Sequence, residues 1–171
     1  MNLNLLHEVE QINLRQRERF VAKIRAALWT LRGKKIAVLG LAFKGGTDDL
    51  RESPAIEIVQ ALLCEGSSIV AYDPAAMPNA ERLFQGRITL VQDVYATAEN
   101  ADALLILTDW KEFAELDLLK LKRLLRYPIV VDGRNLYNPE VMQQHGFTYV
   151  SIGRPMVVPR MEAAGVVSSE V

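Results

Sequence analysis

The densest run of chemically active residues in this sequence lies between Gly40 and Pro54: Gly40-Leu41-Ala42-Phe43-Lys44-Gly45-Gly46-Thr47-Asp48-Asp49-Leu50-Arg51-Glu52-Ser53-Pro54. Two cations, three acids and three glycines share fifteen positions. Three chemistries compete for such a loop. A Walker-type phosphate loop needs Gly-x-x-x-x-Gly-Lys-Ser/Thr; Gly40, Gly45 and Thr47 fit, but Gly46 stands where the lysine must be. Without that cation the terminal phosphates lose their main counter-charge, and this reading fails. A dinucleotide fingerprint, Gly-x-Gly-x-x-Gly, is broken by Leu41 and Ala42, and Phe43 is too bulky for close approach to a pyrophosphate. The third chemistry uses side chains: Lys44 as a point-charge partner and Arg51 as a bidentate partner of an anion. Spacing alone leaves open the alternative that both pair with Asp48, Asp49 and Glu52 as solvated surface charges.

Other candidates are scattered. Asp73 stands where a ribose-binding acid would close a second strand, but before Pro74 it reads as a turn residue. Asp109 and Asp132 close two later strands, and Asp132 is placed to orient Arg134. Trp110 and Phe113 read as packing rather than as a base-stacking pair. His7 and His145 are isolated, so a metal site is not expected. Cys64, the one cysteine, has no basic neighbour to lower its pKa. It reads as a small buried apolar residue.

Elements must bring these residues together, and their rhythm is legible. Leu5, Val9, Ile12, Gln16, Phe20, Ile24, Leu28 and Leu31 step by three or four, predicting an amphipathic helix over 3–31 with Gly33 as its left-handed cap. So long a stripe needs a partner surface, either within the chain or as a dimer seam. From Lys34 onward short apolar runs alternate with helices. Strands are predicted at 36–39, 68–72, 88–91, 103–107, 128–131 and 147–150. Helices are predicted after Ser53-Pro54, with Ser53 as cap, at 93–98, at 116–125 and after Asn138-Pro139. Strands that are continuously apolar are buried on both faces, as in a parallel sheet. The expectation is an α/β fold, a doubly wound parallel sheet of about six strands preceded by a long helix. Ligands of such sheets sit beyond the carboxyl ends of the strands. That selects the loops at 40–53, 72–78, 107–113 and 132–138. The tail from 154 to 171 has no convincing period and is expected to be largely disordered.

Composition narrows the function classes. The chain has 171 residues, 50% of them hydrophobic, with 20 Lys+Arg against 21 Asp+Glu. Such a chain can bury a core of its own. A net charge of −1 argues against a nucleic-acid binder driven by bulk charge. No apolar run approaches the ~20 residues of a spanning helix, and the first residues lack a signal-peptide pattern. One cysteine excludes a disulfide scaffold and points to a reducing, cytoplasmic setting.

Several separated motifs carry a resemblance. Gly40-Leu41-Ala42-Phe43-Lys44 followed by Thr47-Asp48-Asp49-Leu50-Arg51-Glu52-Ser53-Pro54 resembles the opening of the C-terminal domain of UDP-glucose dehydrogenases, within the UDP-glucose/GDP-mannose dehydrogenase superfamily. Ala71-Tyr72-Asp73-Pro74, Thr108-Asp109-Trp110-Lys111-Glu112-Phe113 and Asp132-Gly133-Arg134-Asn135 recur in family order. Val9, Ile12-Asn13, Gln16 and Phe20 resemble the segment before that domain. The resemblance covers roughly residues 5–153 and implies a Rossmann-like, nucleotide-sugar-binding domain at 34–153 preceded by part of a linking, dimer-forming helix at 1–33. It implies that Phe43 and Lys44 contact a UDP-sugar, that Arg134 reaches the nucleotide or its phosphates, and that Arg51 reaches the NAD pyrophosphate across an interdomain cleft. Family members oxidise a nucleotide-sugar C6 alcohol to the acid by two hydride transfers to NAD, through a thioester on a cysteine. The resemblance places that cysteine, the NAD domain and the catalytic lysine and asparagine upstream of this chain. This fragment alone is then expected to bind a UDP-sugar and catalyse nothing. Gly45-Gly46 departs from the bulkier or charged pair common in the family, and a more mobile loop is expected there. A sibling dehydrogenase acting on GDP-mannose or a UDP-N-acetylhexosamine, and a stand-alone Rossmann-like interaction module, are the alternatives.

Overall fold

A computed structural model describes residues 3–160. Six short parallel strands form one sheet: β1 (Lys35–Leu39), β2 (Ser68–Tyr72), β3 (Thr89–Leu90), β4 (Ala103–Ile106), β5 (Ile129–Asp132) and β6 (Thr148–Ser151). Their order is β3-β2-β1-β4-β5-β6. The direction of winding reverses between β1 and β4, the topological switch point of a doubly wound sheet. The central strands are buried along nearly their whole length, which is why they read as unbroken apolar runs.

Helices cover both faces. The long α1 (Leu3–Leu28), α2 (Pro54–Cys64) and α3 (Met77–Phe84) pack on one; α4 (Val94–Ala98), α5 (Leu118–Leu124) and α6 (Pro139–Gln144) pack on the other. Asp93, Asp117 and Asn138 cap their helices by accepting backbone N–H groups of Ala96, Lys120 and Glu140.

Three local expectations need correction. Helix α1 ends at Leu28, not at 31, and the left-handed residue that ends it is Trp29 (φ 60°) rather than Gly33. The chain has turned before Leu31, which is nevertheless buried. Its place in the core is reached from the turn into β1. Gly33 serves that turn, and its N–H donates to the Gly66 carbonyl at 2.9 Å. Ser53 occupies the cap position of α2 but gives no side-chain cap; its hydroxyl donates to the Leu41 carbonyl at 2.7 Å. Helix α3 was not expected from the sequence, since only Ala80 and Phe84 of its eight residues are buried.

The stripe along α1 divides in two. Phe20, Val21, Ile24 and Leu28 enter the core, while Ile12 and Leu14 further up are exposed. Residues 154–160 return along β6, with Tyr149 and Val157 exchanging both backbone hydrogen bonds in an antiparallel bridge. The rest of the expected disordered tail, 161–171, lies outside the described residues.

Candidate functional site

The strand register puts four loops on one edge. Leu39 lies level with Tyr72 and Ile106, and Ile106 with Asp132. The residues that follow, Gly40, Asp73, Leu107 and Gly133, therefore emerge side by side. Glycine is required at position 40. Its φ is +90°, and a Cβ there would stand 2.4 Å from Thr108 Cβ and 2.7 Å from the Thr108 backbone nitrogen.

Beyond Gly40 the backbone is pinned from three sides. The buried Asp73 carboxylate accepts the N–H groups of Leu41 (2.8 Å) and Ala42 (3.0 Å) on Oδ2. Its Oδ1 accepts Ala75 and Ala76 N–H at the start of α3. Thr108 Oγ1 donates to the Ala42 carbonyl (2.7 Å), and Ser53 Oγ to that of Leu41. Phe43 N–H donates to the Asp49 carbonyl at 2.8 Å, closing residues 44–48 into a loop. Phe43 and Lys44 follow directly on this fixed backbone, and both side chains are exposed.

Arg134 is held in a similar way. Buried Asp132 accepts Arg134 N–H on Oδ1 (2.8 Å), and Leu136 N–H (2.7 Å) and the Tyr149 hydroxyl (2.8 Å) on Oδ2. The expectation that Asp132 orients Arg134 holds at the level of the backbone. Burial pushes the neighbouring Tyr137 hydroxyl up to about 12, and burial beside Asp132 raises that of Tyr149. Both phenols stay protonated as donors. Gly133 in this loop packs against Phe20, where a Cβ would meet the ring at 3.2 Å. The end of α1 therefore also supports the site.

Asp109 joins the two cation-bearing loops. Its Oδ1 accepts Gly45 N–H at 3.1 Å and lies 3.2 Å from Arg134 Nη2. The Gly45 N–H first, with Arg134 behind it, holds the Asp109 carboxyl below the usual carboxylate range. The Gly45-Gly46 pair has a steric role in this loop. A Cβ on Gly45 would lie 2.8 Å from the Asp109 carbonyl oxygen, so the first glycine permits a close approach. Gly46 supplies a turn at φ +81°.

Arg51 sits apart from this group. It forms a bidentate pair with Asp49, Nε to Oδ1 at 3.0 Å and Nη2 to Oδ2 at 2.8 Å, and its side chain is 89% exposed. These hydrogen bonds bring the Asp49 carboxyl down to about 2. Arg51 lines an open groove with Asp48, Asn79 and Arg82 between its loop and α3. Phe43 and Lys44 thus follow β1 and Arg134 follows β5, their loops linked through Asp109, and Arg51 faces a neighbouring groove.

Two readings from the residues change and one holds. Asp73 is no mere turn residue but the acceptor that fixes the loop before Phe43. Trp110 donates its indole N–H to the same carboxylate at 3.3 Å, and Phe113 is buried, as the packing reading expects. Cys64 is exposed, not buried: it is the last residue of α2, and the core side of that helix is filled by Ile58, Val59 and Leu62. Among the described residues no His, Cys, Asp and Glu side chains cluster as metal ligands, and no helix is long and apolar enough to cross a membrane.

Comparison with known proteins now decides the family. The model of the UDP-glucose/GDP-mannose dehydrogenase family, UDP binding domain, matches residues 37–139. This chain belongs to that family. All the candidate residues, Phe43, Lys44, Arg51 and Arg134 with Asp73 and Asp109, fall inside the matched span. Among its relatives, a UDP-glucose 6-dehydrogenase of Bacillus subtilis is 44% identical over 153 residues, covering 90% of this chain and 33% of the relative. That of Rhizobium meliloti is 50% identical over 132 residues, 77% and 30% of the two chains. Among solved structures, a UDP-D-ManNAc dehydrogenase from Pyrococcus horikoshii aligns with a TM-score of 0.73 at 30% identity, covering 90% and 34%. A UDP-glucose dehydrogenase from Pyrobaculum islandicum aligns at 0.66 and 35% identity, covering 74% and 28%. This member of the UDP-glucose/GDP-mannose dehydrogenase family thus spans about a third of the length of the curated relatives it matches.

Proposed function

We propose that this chain is the nucleotide-sugar-binding domain of an NAD-dependent dehydrogenase that oxidises UDP-glucose at C6 to UDP-glucuronate. The observation that carries the reading is the meeting of the Lys44 loop and Arg134 on one carboxylate at the carboxyl ends of the strands. A nucleotide-sugar diphosphate is an anion that calls for charge-assisted donors. Lys44 offers a point charge, and Arg134 keeps further guanidinium N–H groups beyond the one near Asp109. Phe43, exposed beside them, is the apolar surface for the base or sugar. Holding the nucleotide here orients a sugar whose C6 reacts elsewhere, a use of binding energy remote from the chemistry.

In the intact enzyme NAD supplies the hydride acceptor. Arg51, with an exposed guanidinium fixed by Asp49, fits one edge of its pyrophosphate. Alcohol to acid is a four-electron oxidation, so it takes two hydride transfers and one water; the acyl intermediate is a thioester on a cysteine outside this chain. Cys64 has no basic residue beside it in the sequence and lies at the far end of α2 from the site loops. The upper half of α1 provides a homodimer seam, and the lone cysteine favours the cytoplasm. The similarity to a UDP-D-ManNAc dehydrogenase supports a second reading, oxidation of a UDP-N-acetylhexosamine. Activity of the full-length protein across nucleotide sugars separates the two.

Titration calorimetry of the chain with UDP tests the site. Lys44→Ala and Arg134→Ala are each expected to weaken UDP by about tenfold, the scale of a charge-assisted hydrogen bond. Unchanged affinity in both variants overturns the site. A folded wild-type chain that gives no UDP heat overturns the claim that this domain carries the nucleotide by itself.

A further inference from the structure

Resting on the reading that Lys44 and Arg134 meet the nucleotide diphosphate, we infer that Asp109 is the positioning residue of that site, sharing one carboxylate oxygen between the Gly45 N–H and the Arg134 guanidinium. Asp109 follows β4, the strand between β1 and β5. It stands where a single side chain can reach the loop of each neighbour. It does reach both, at 3.1 Å and 3.2 Å from the same atom.

The three aspartates of this edge are not alike. Asp73 and Asp132 are fully buried and satisfy several backbone N–H groups each. They hold the loops as folded objects. Asp109 keeps 46% of its side chain exposed and Arg134 keeps 35%. A pair so exposed adds little to stability. Its effect lies in geometry. Arg134 has a long stem with many rotamers, and fixing one guanidinium nitrogen leaves the others presented together.

Charge and position predict opposite signs, which makes the inference sharp. A carboxylate beside an anion site repels the anion. If Asp109 acted by charge alone, neutralising it would tighten UDP binding. If it positions Arg134, neutralising it weakens UDP binding, because the guanidinium must then be ordered at the expense of affinity.

The test is calorimetry with UDP on the 171-residue chain as wild type, Asp109→Asn, Arg134→Ala and the double variant. Asparagine keeps an oxygen for Gly45 N–H and removes the charge that holds Arg134. Asp109→Asn is expected to unfold at the wild-type urea midpoint and to weaken UDP about three- to tenfold, and to change affinity less than about twofold once Arg134 is alanine, since a coupling of this kind vanishes with its partner. Tighter or unchanged binding in Asp109→Asn overturns the inference, as does an equal loss in both backgrounds. If Arg134→Ala is itself silent, Arg134 does not meet the diphosphate and this inference falls, while the nucleotide reading falls only if Lys44→Ala is silent too; if Arg134→Ala weakens UDP and Asp109→Asn does not, only the role of Asp109 fails.

Discussion

Asp73→Asn is the substitution that most directly tests how the loop before Lys44 is held. Five N–H groups converge on the carboxylate. Leu41, Ala42 and the Trp110 indole meet Oδ2; Ala75 and Ala76 meet Oδ1. Both oxygens accept, and an amide has only one accepting atom. Either orientation of asparagine therefore points its NH2 group at N–H donors. The less costly choice faces Ala75 and Ala76, leaving two backbone donors without an acceptor at the start of α3. A donor so orphaned in a buried place costs about 1–3 kcal/mol. The three bonds that survive lose their charge assistance, which is about half of their strength. The two orphaned donors alone come to about 2–6 kcal/mol, and the weakened bonds add to that, a large part of the roughly 5–15 kcal/mol that holds a domain together.

Urea unfolding followed by circular dichroism reads this out as a lowered midpoint at an unchanged slope. The variant that remains folded in buffer should also bind UDP more weakly, because Phe43 and Lys44 stand on the backbone that Asp73 fixes. A loss below about 1 kcal/mol, the scale of an ordinary surface change, refutes the claim that this carboxylate is the acceptor joining the β1 and β2 loops.

Two further outcomes are expected. The homodimer seam proposed on α1 predicts that the chain sediments as a dimer and that an Ile12→Glu, Leu14→Glu variant sediments as a monomer. Both side chains are exposed within one chain, so a persistent dimer refutes the seam. Asp49 should titrate near pH 2 by NMR, and Arg51→Ala should return it toward 3.8, its ordinary value. Because the folded pKa is lowered, the small stabilisation it brings is present above the unfolded value and lost as pH falls through about 2. An Asp49 midpoint near 3.8 in the wild type refutes the bidentate pair.

The parallel sheet was legible because its strands are buried on both faces, and their apolar runs need no partner to be recognised. The helix starts at 93 and at Asn138-Pro139 were legible because the signals that begin a helix are local. What escaped was settled by contacts distant in sequence. Ser53 has the position of a cap, but the Leu41 carbonyl, twelve residues away, takes its hydroxyl. Asp73 reads as a turn because its five donors come from three separate loops. Cys64 was expected inside because cysteine often is, but α2 presents its last turn to solvent. Helix α1 was drawn too long because Leu31 keeps the helical spacing after the helix has ended. Of the candidate site, Phe43 and Arg134 were proposed through motif resemblance, and Lys44 from its charge in the loop as well. The tether between them was not, since no spacing rule connects residues 45, 109 and 134.

That tether bears on how a domain of net charge −1 can serve an anion. Bulk attraction is negligible here, and charges more than about 8 Å apart are largely screened at physiological salt. Affinity must come from a few cations fixed at the right place. The edge of the sheet holds more carboxylates than cations, which looks adverse until their partners are counted. Asp73 and Asp132 turn inward and accept backbone N–H groups, so their charge is absorbed by the loops they close. Of these three aspartates only Asp109 stands near the surface, and it faces Arg134; in the loop after β1, Asp49 is taken up by Arg51. The acids thus set the backbone from which Lys44 and Arg134 act. On the proposed reading, an anion arriving at this edge finds the Arg134 guanidinium already held, and less of its binding energy is lost in arranging it.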